Sequence, residues 1–178
     1  MIKNICYTKS MLKQENVKIR EIQPQDDLVL AKIIRNSLKS VHLDQPGTAY
    51  FDENLDHLSQ YYQKENRWYW VLEANQKVMG GIGLERFVYF PNCLEIQKCY
   101  LCPEARNKGW GYRLLEMVEQ EAVQKRYEML YLETHSILKP AIALYRKRGF
   151  QEIERPACIV HSKMDRFFIK RLEAQPCD

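Results

Sequence analysis

The sequence predicts an α/β fold: one mixed, mostly antiparallel sheet flanked by helices. Three observations lead there. Short apolar or alternating segments are interleaved with helical patterns along the whole chain. Two aromatic and β-branched runs within 68–88 meet across a short polar turn, the mark of a hairpin. A strongly amphipathic helix then separates the fourth and fifth strands, and such a crossover makes that pair parallel.

The elements follow in order. Residues 1–15 read as a flexible, polar lead-in. VKIREI (17–22) alternates as a first strand. Pro24, Asp26 and Asp27 open a helix whose apolar stripe is Leu28, Ala31, Ile34 and Leu38. After the turn-rich VHLDQPGT (41–48), FDENLDHLSQYYQKE (51–65) reads as a second helix with Leu55, Leu58, Tyr61 and Tyr62 inward. WYWVLEA (68–74) and VMGGIGLERFV (78–88) form the hairpin around Asn75, Gln76 and Lys77. CLEIQKCYLC (93–102) is a fourth strand ended by Pro103.

Gly109 to Arg126 carries the strongest helical pattern, with Leu115, Val118 and Ala122 on one face and Glu121 four residues before Lys125. YEMLYLET (127–134) is a buried-type strand. KPAIALYRKR (139–148) is a short helix, with Pro140 in its first turn and Gly149 after its end. FQEIER (150–155) and KMDRFFIKR (163–171) close the sheet. Residues 16–172 therefore form one domain, and 173–178 a frayed tail.

Composition excludes several classes. Of 178 residues, 46% are apolar and 28% charged, ordinary for a globular protein, and no apolar run is long enough to span a membrane. The first residues lack the apolar core of a secretory signal. The balance of 27 basic against 23 acidic residues gives +4, too small and too dispersed for a nucleic-acid binder. Cys99 and Cys102 are a lone C-x-x-C; on a strand, residues three apart face opposite sides, so no metal site is expected. Free thiols fit a reducing, cytoplasmic setting. A homodimer is the default assembly.

The chemistry concentrates in RNKGWG (106–111), between a strand and a helix start. Gly109 and Gly111 remove side chains where backbone must approach a ligand closely. The first N–H groups of a helix are unpaired and lie at the positive end of its dipole, a combination that binds phosphate. Arg106, Lys108 and Arg113 add positive charge. A Walker loop and a dinucleotide fingerprint are both absent, and GGIG (80–83) sits inside a hairpin strand with no helix after it. It reads as a bulge or close-packing site.

EIQKCYLCPEARNKGWG (95–111), WVLEANQKVMGGIGL (70–84) and ALYRKRGF (143–150) together resemble the GCN5-related N-acetyltransferase (GNAT) superfamily, in its order and spacing, from about Val17 to Leu172. Its motif Arg/Gln-x-x-Gly-x-Gly/Ala falls on Arg106, Gly109 and Gly111. The resemblance implies an acyl-CoA N-acyltransferase fold with strands four and five splayed, and acetyl-CoA as co-substrate. It implies the pyrophosphate on the amides of 107–111 and the pantetheine arm beside the fourth strand. The cofactor-binding candidates are Tyr100, Leu101, Cys102, Arg106, Asn107, Lys108, Gly109, Trp110, Gly111 and Tyr112. The Leu101 N–H, or a neighbour, would donate to the thioester carbonyl.

The implied activity is acetyl transfer to a primary amine, small molecule or peptide, by direct attack in a ternary complex. A non-catalytic CoA-binding sensor on the same scaffold is the alternative. An alkyl ammonium with a pKa of about 10.4 must lose a proton before it attacks. Glu95 is the candidate base, directly or through water; the plain alternative is a carboxylate in a structural hydrogen bond. Tyr145 occupies the place of the family's general acid, against the alternative of a core tyrosine. The Asn often found seven residues before it is Leu138 here. His135 reads as a loop residue, and a covalent route through Cys99 or Cys102 departs from the family's direct transfer. Asp44, Asp52, Glu53 and Asp56 form either an acidic acceptor wall or a solvated helix start.

Overall fold

A computed structural model describes residues 16–159 and 163–173. The expected lead-in (1–15) lies outside the described residues, as does the tail apart from Glu173. The strands are β1 (Val17–Glu21), β2 (Arg67–Ala74), β3 (Lys77–Arg86), β4 (Cys93–Leu101), β5 (Met129–Thr134), β6 (Gln151–Ile153) and β7 (Arg166–Arg171). They form one sheet in the order β1-β2-β3-β4-β5-β7-β6. Every pairing is antiparallel except β4 with β5. The helices are α1 (Asp27–Lys39), α2 (Leu58–Tyr62), α3 (Trp110–Gln124) and α4 (Lys139–Lys147). The expected mixed sheet flanked by helices is the observed fold.

Each face of the sheet has its own core. On one, Ile82, Leu84, Leu94, Ile96, Leu130 and Leu132 pack under Leu114, Leu115 and Val118 of α3. On the other, Tyr69 and Val71 lie against Leu30, Ile34 and Leu38 of α1 and Leu55, Leu58 and Tyr62 around α2. Arg20 locks β1 to the start of α1, with its guanidinium on Asp26 at 2.7 and 2.8 Å and on Glu73 at 2.8 Å.

Two details depart from the sequence pattern. Leu28 is exposed, and the stripe of α1 is Leu30, Ala31, Ile34 and Leu38. The helix expected over 51–65 is broken into 3-10 turns at Ala49–Phe51 and Leu55–His57 before α2. Asp52 interrupts it: its backbone is extended (ψ 125°), and its carboxylate pairs with Lys98 across the sheet. That ion pair outweighs the weak helical preference of one Asp.

The Asn75-Gln76 turn has both residues left-handed (φ 49° and 64°), as a tight hairpin requires. GGIG is the close-packing site that its place in a strand predicts. A Cβ on Gly80 would lie 2.1 Å from the Tyr100 carbonyl oxygen and 2.8 Å from the Leu101 Cα, both backbone atoms of β4, with φ at 147°. We therefore expect Gly80→Ala to destabilise the fold by about 3 kcal/mol in urea unfolding, since neither backbone can move aside. A loss under about 0.5 kcal/mol would contradict the packing.

Candidate active site

The site begins with an interruption in β4. Gly83 pairs with Gln97 and Gly81 with Tyr100, so Ile82 alone faces both Lys98 and Cys99. This is a β-bulge, and Lys98 takes the left-handed backbone it needs (φ 48°). The Tyr69 hydroxyl donates to the Lys98 carbonyl at 3.1 Å and holds the bulge. Pairing with β5 ends two residues before Lys98, at Ile96 with Leu132. Beyond that row β4 stays with β3 as far as Leu101, while β5 stays with β7 as far as Thr134. A gap opens between the two parallel strands.

Tyr100, Leu101 and Cys102 line the β4 side of this gap. The Cys102 N–H donates back to the Met79 carbonyl at 2.8 Å. Successive amides of a strand point to opposite edges, so the Leu101 N–H is directed into the gap. The Leu101 carbonyl accepts from Arg106 Nε at 3.0 Å, and the same guanidinium donates to Ser37 of α1 at 2.9 Å. Arg106 thus ties the end of β4 to α1.

The loop before α3 ends on two left-handed residues, Asn107 (φ 59°) and Gly109 (φ 81°). The helical ladder starts with the Arg113 N–H on the Gly109 carbonyl at 3.1 Å, so the amides of Trp110, Gly111 and Tyr112 precede it without ladder partners. The two glycines serve different ends. A Cβ on Gly109 would meet nothing within 4 Å, so it faces open space and is needed for its backbone angle. A Cβ on Gly111 would lie 3.0 Å from Leu144, so it is needed for close approach to α4. Lys108 is exposed, Trp110 stacks under the Arg113 guanidinium at 4.9 Å, and Tyr112 under that of Arg148 at 4.4 Å.

Glu95 lies in the row before the last paired one, between Glu85 of β3 and Tyr131 of β5. Its carboxyl is pushed up to about 7. Burial is the largest cause; Glu133 and Glu85 add to it, while a hydrogen bond from Gln97 (2.8 Å) and the charge of Lys98 oppose it. Glu85 is itself held by Arg67 at 2.6 Å and by the Tyr61 hydroxyl at 2.6 Å. Tyr145 approaches from the opposite face, on α4, among Phe150 and Phe168. Burial, with Cys99 and Tyr100 nearby, pushes its phenol well above the usual range. Its hydroxyl makes no hydrogen bond among the described residues.

The remaining candidates separate. Asp52 is paired with Lys98, and Asp56 with Arg35 at 2.6 Å, so half of the expected acidic wall is neutralised. Asp44 and Glu53 are exposed. His135 accepts the Ile137 N–H at Nδ1 (3.2 Å), a loop contact. Cys99 is pushed up to about 12 by burial and stays a thiol. No group of three or more metal-ligating side chains occurs among the described residues. The parts that pattern reading missed are the bulge and the side chains of Gln97, Glu85 and Glu133. Alternation alone puts Gln97 on the face of Glu95; the other two need the strand register.

A family model described as the acetyltransferase (GNAT) family matches residues 35–150. The chain belongs to that family. Among curated relatives, an uncharacterized N-acetyltransferase of Escherichia coli K12, YjgM, is 35% identical over 138 residues, covering 76% of this chain and 83% of its own. Solved structures carry the same fold. A GNAT acetyltransferase of Staphylococcus aureus Mu50 gives a TM-score of 0.79 at 23% identity, over 88% of this chain and 99% of that one. The yncA acetyltransferase of Salmonella typhimurium, solved with acetyl-CoA, gives 0.71 at 20% identity over 92% and 98%. This GNAT chain is an acetyltransferase, the enzyme class that its sequence motifs imply.

The raised Glu95 carboxyl has a stability consequence. In the unfolded chain it ionises near 4.5 and in the folded protein near 7. Between those values the unfolded state holds fewer protons, so stability falls as pH rises. Glu95→Gln removes this loss, and its stability relative to wild type is expected to rise through that window and then level off. Urea unfolding across pH checks this; a constant difference would contradict the burial of a titrating carboxyl.

Proposed function

We propose that this enzyme transfers an acetyl group from acetyl-CoA to a primary amine, on a small molecule or a peptide, by direct attack in a ternary complex. The gap between β4 and β5, aligned with the open amides of α3, carries this reading. It offers an anion cradle at one end and a free strand edge leading inward from it. The diphosphate would rest on the amides of 107–111, with Lys108 beside it, and the pantetheine arm along Tyr100, Leu101 and Cys102. The fit is supported by Gly109, whose missing side chain leaves that cradle clear.

The chemistry then follows from the side chains. Glu95, or a water it holds, takes a proton from the ammonium. Its value of about 7 leaves it ionised over much of the neutral range yet basic enough to accept. The amine nitrogen attacks the thioester carbonyl carbon, and the charge that develops on oxygen is met by the Leu101 N–H. The carbon–sulfur bond breaks, Tyr145, kept protonated by burial, gives its proton to the departing thiolate, and the second surplus proton of the attacking nitrogen restores the phenol and leaves the neutral amide. Glu95 and Tyr145 stand on opposite faces, so only a break in the sheet lets both serve one reaction.

Thiol release from acetyl-CoA, followed over a panel of amines, is expected to require an amine. Binding of CoA with no release on any amine would leave a sensor instead of an enzyme. Gly109→Asp is expected to lose CoA binding by calorimetry, because its carboxylate would project into the anion cradle, while Gly109→Ala, which carries the same backbone strain at φ 81° without the charge, serves as the control for folding. Tyr145→Phe is expected to lower kcat by about 100-fold with the KM for acetyl-CoA unchanged. A wild-type rate would remove Tyr145 from the mechanism.

A further inference from the structure

The close packing at GGIG does more than join two strands. A Cβ on Gly83 would lie 2.5 Å from the Tyr62 hydroxyl and 2.7 and 2.9 Å from its ring. The missing side chain is the socket that admits the Tyr62 ring through the core onto β3. From that socket the Tyr62 hydroxyl donates to Gln97 Oε1 at 3.1 Å. Gln97 Nε2 in turn donates to Glu95 Oε2 at 2.8 Å. A glycine on β3, a tyrosine on α2 and a glutamine on β4 thus end on one carboxylate.

We propose that Tyr62 is a positioning residue for Glu95: its hydroxyl fixes the direction of the Gln97 amide, so that the carboxyl always meets an N–H and never the amide oxygen. The significance of Glu95 in catalysis rests on the reading of it as the base; the positioning itself does not. The argument is one of hydrogen-bond accounting. The Tyr62 ring is buried, and its hydroxyl has Gln97 as its hydrogen-bond partner. A flipped amide would set Nε2 against that hydroxyl and leave its proton without an acceptor, an unpaired buried donor. Burial also pushes the phenol well above its usual range, so Tyr62 is a donor at every working pH.

The direction of the amide matters because an N–H favours the ionised carboxylate and an oxygen favours the protonated acid. The groups around Glu95 otherwise leave it reluctant to ionise. Glu85 faces it from β3 and Glu133 from β5, while Tyr61 of α2 and Arg67 of β2 are spent on Glu85 and Tyr131 on Glu133. Lys98 of β4 is paired with Asp52. Among the influences that favour ionisation, Gln97 stands ahead of Lys98. Without an oriented Gln97, Glu95 would hold its proton through the neutral range.

The test uses Tyr62→Phe, which deletes only the hydroxyl, and Gln97→Met, which keeps length and deletes both bonds. The Glu95 carboxyl is followed by carbon NMR, with Glu95→Gln as the assignment control. Its midpoint is expected to rise by about one pH unit in each variant, and by no more in the double variant, since the two act on one path. The acid limb of kcat/KM is expected to move with it. That lowers the rate about five-fold near neutrality, and the rate returns towards wild type at about two pH units higher. General damage to packing would not be repaired by base.

A folded Tyr62→Phe with an unchanged midpoint overturns the proposal whatever Gln97→Met shows, and an unchanged midpoint in Gln97→Met overturns it even if Tyr62→Phe fails to fold, since the path to Glu95 then carries no effect. If the midpoint moves while the rate profile does not, the positioning stands and the assignment of Glu95 as base fails. The two readings can therefore fail separately.

Discussion

Backbone hydrogen bonding within a sheet is an obligation, and the gap beside β4 exists because the strand breaks it at one place. An interior strand ordinarily pairs on both edges, since an unpaired buried N–H or C=O costs as much as a lost hydrogen bond. The extra residue at Lys98 turns β4 away from β5, and the amides beyond Ile96 lose their partner on that side. A thioester-bearing arm that runs along this edge would restore what the bulge removed. On the proposed reading the gap is a binding site made of main chain, and the side chains around it serve to keep it open.

That service falls to tyrosines and glycines acting in pairs. Gly81 clears space for Tyr69, whose hydroxyl holds the Lys98 carbonyl; Gly83 clears space for Tyr62, whose hydroxyl reaches Gln97. A phenol suits the task because its ring fills core while its hydroxyl satisfies one buried acceptor. The GGIG segment therefore acts on chemistry one strand away, through rings that it makes room for. Arg106 adds a third tie, from the end of β4 to α1.

Electrostatics divides the two faces. On the α2 side, three carboxylates come from three neighbouring strands, and a neutral amide and a distant ammonium moderate them. On the α4 side, Tyr145 sits among apolar rings and keeps its proton. On the proposed reading, one face accepts a proton and the other gives one up. Burial drives both shifts, because it disfavours whichever form carries charge.

Much of this was legible in the linear chain. Alternation in VKIREI, the aromatic and β-branched run WYWVLEA, the three- and four-residue spacing in 110–124, and the crossover between β4 and β5 determined the strand and helix order, because these preferences follow from local backbone geometry. Gly109 and Gly111, at the start of α3, marked the proposed anion cradle for the same local reason. What tertiary structure decided is everything that depends on register. Leu28 lay on a plausible stripe and yet faces water; the helix over 51–65 yielded to an ion pair between Asp52 and Lys98, far apart in sequence. The bulge at Lys98, the row Glu85–Glu95–Tyr131 and the reach of Tyr62 to Gln97 arise only when strands pair. No local pattern encodes which residue stands opposite another, since that is settled by the packing of the whole sheet.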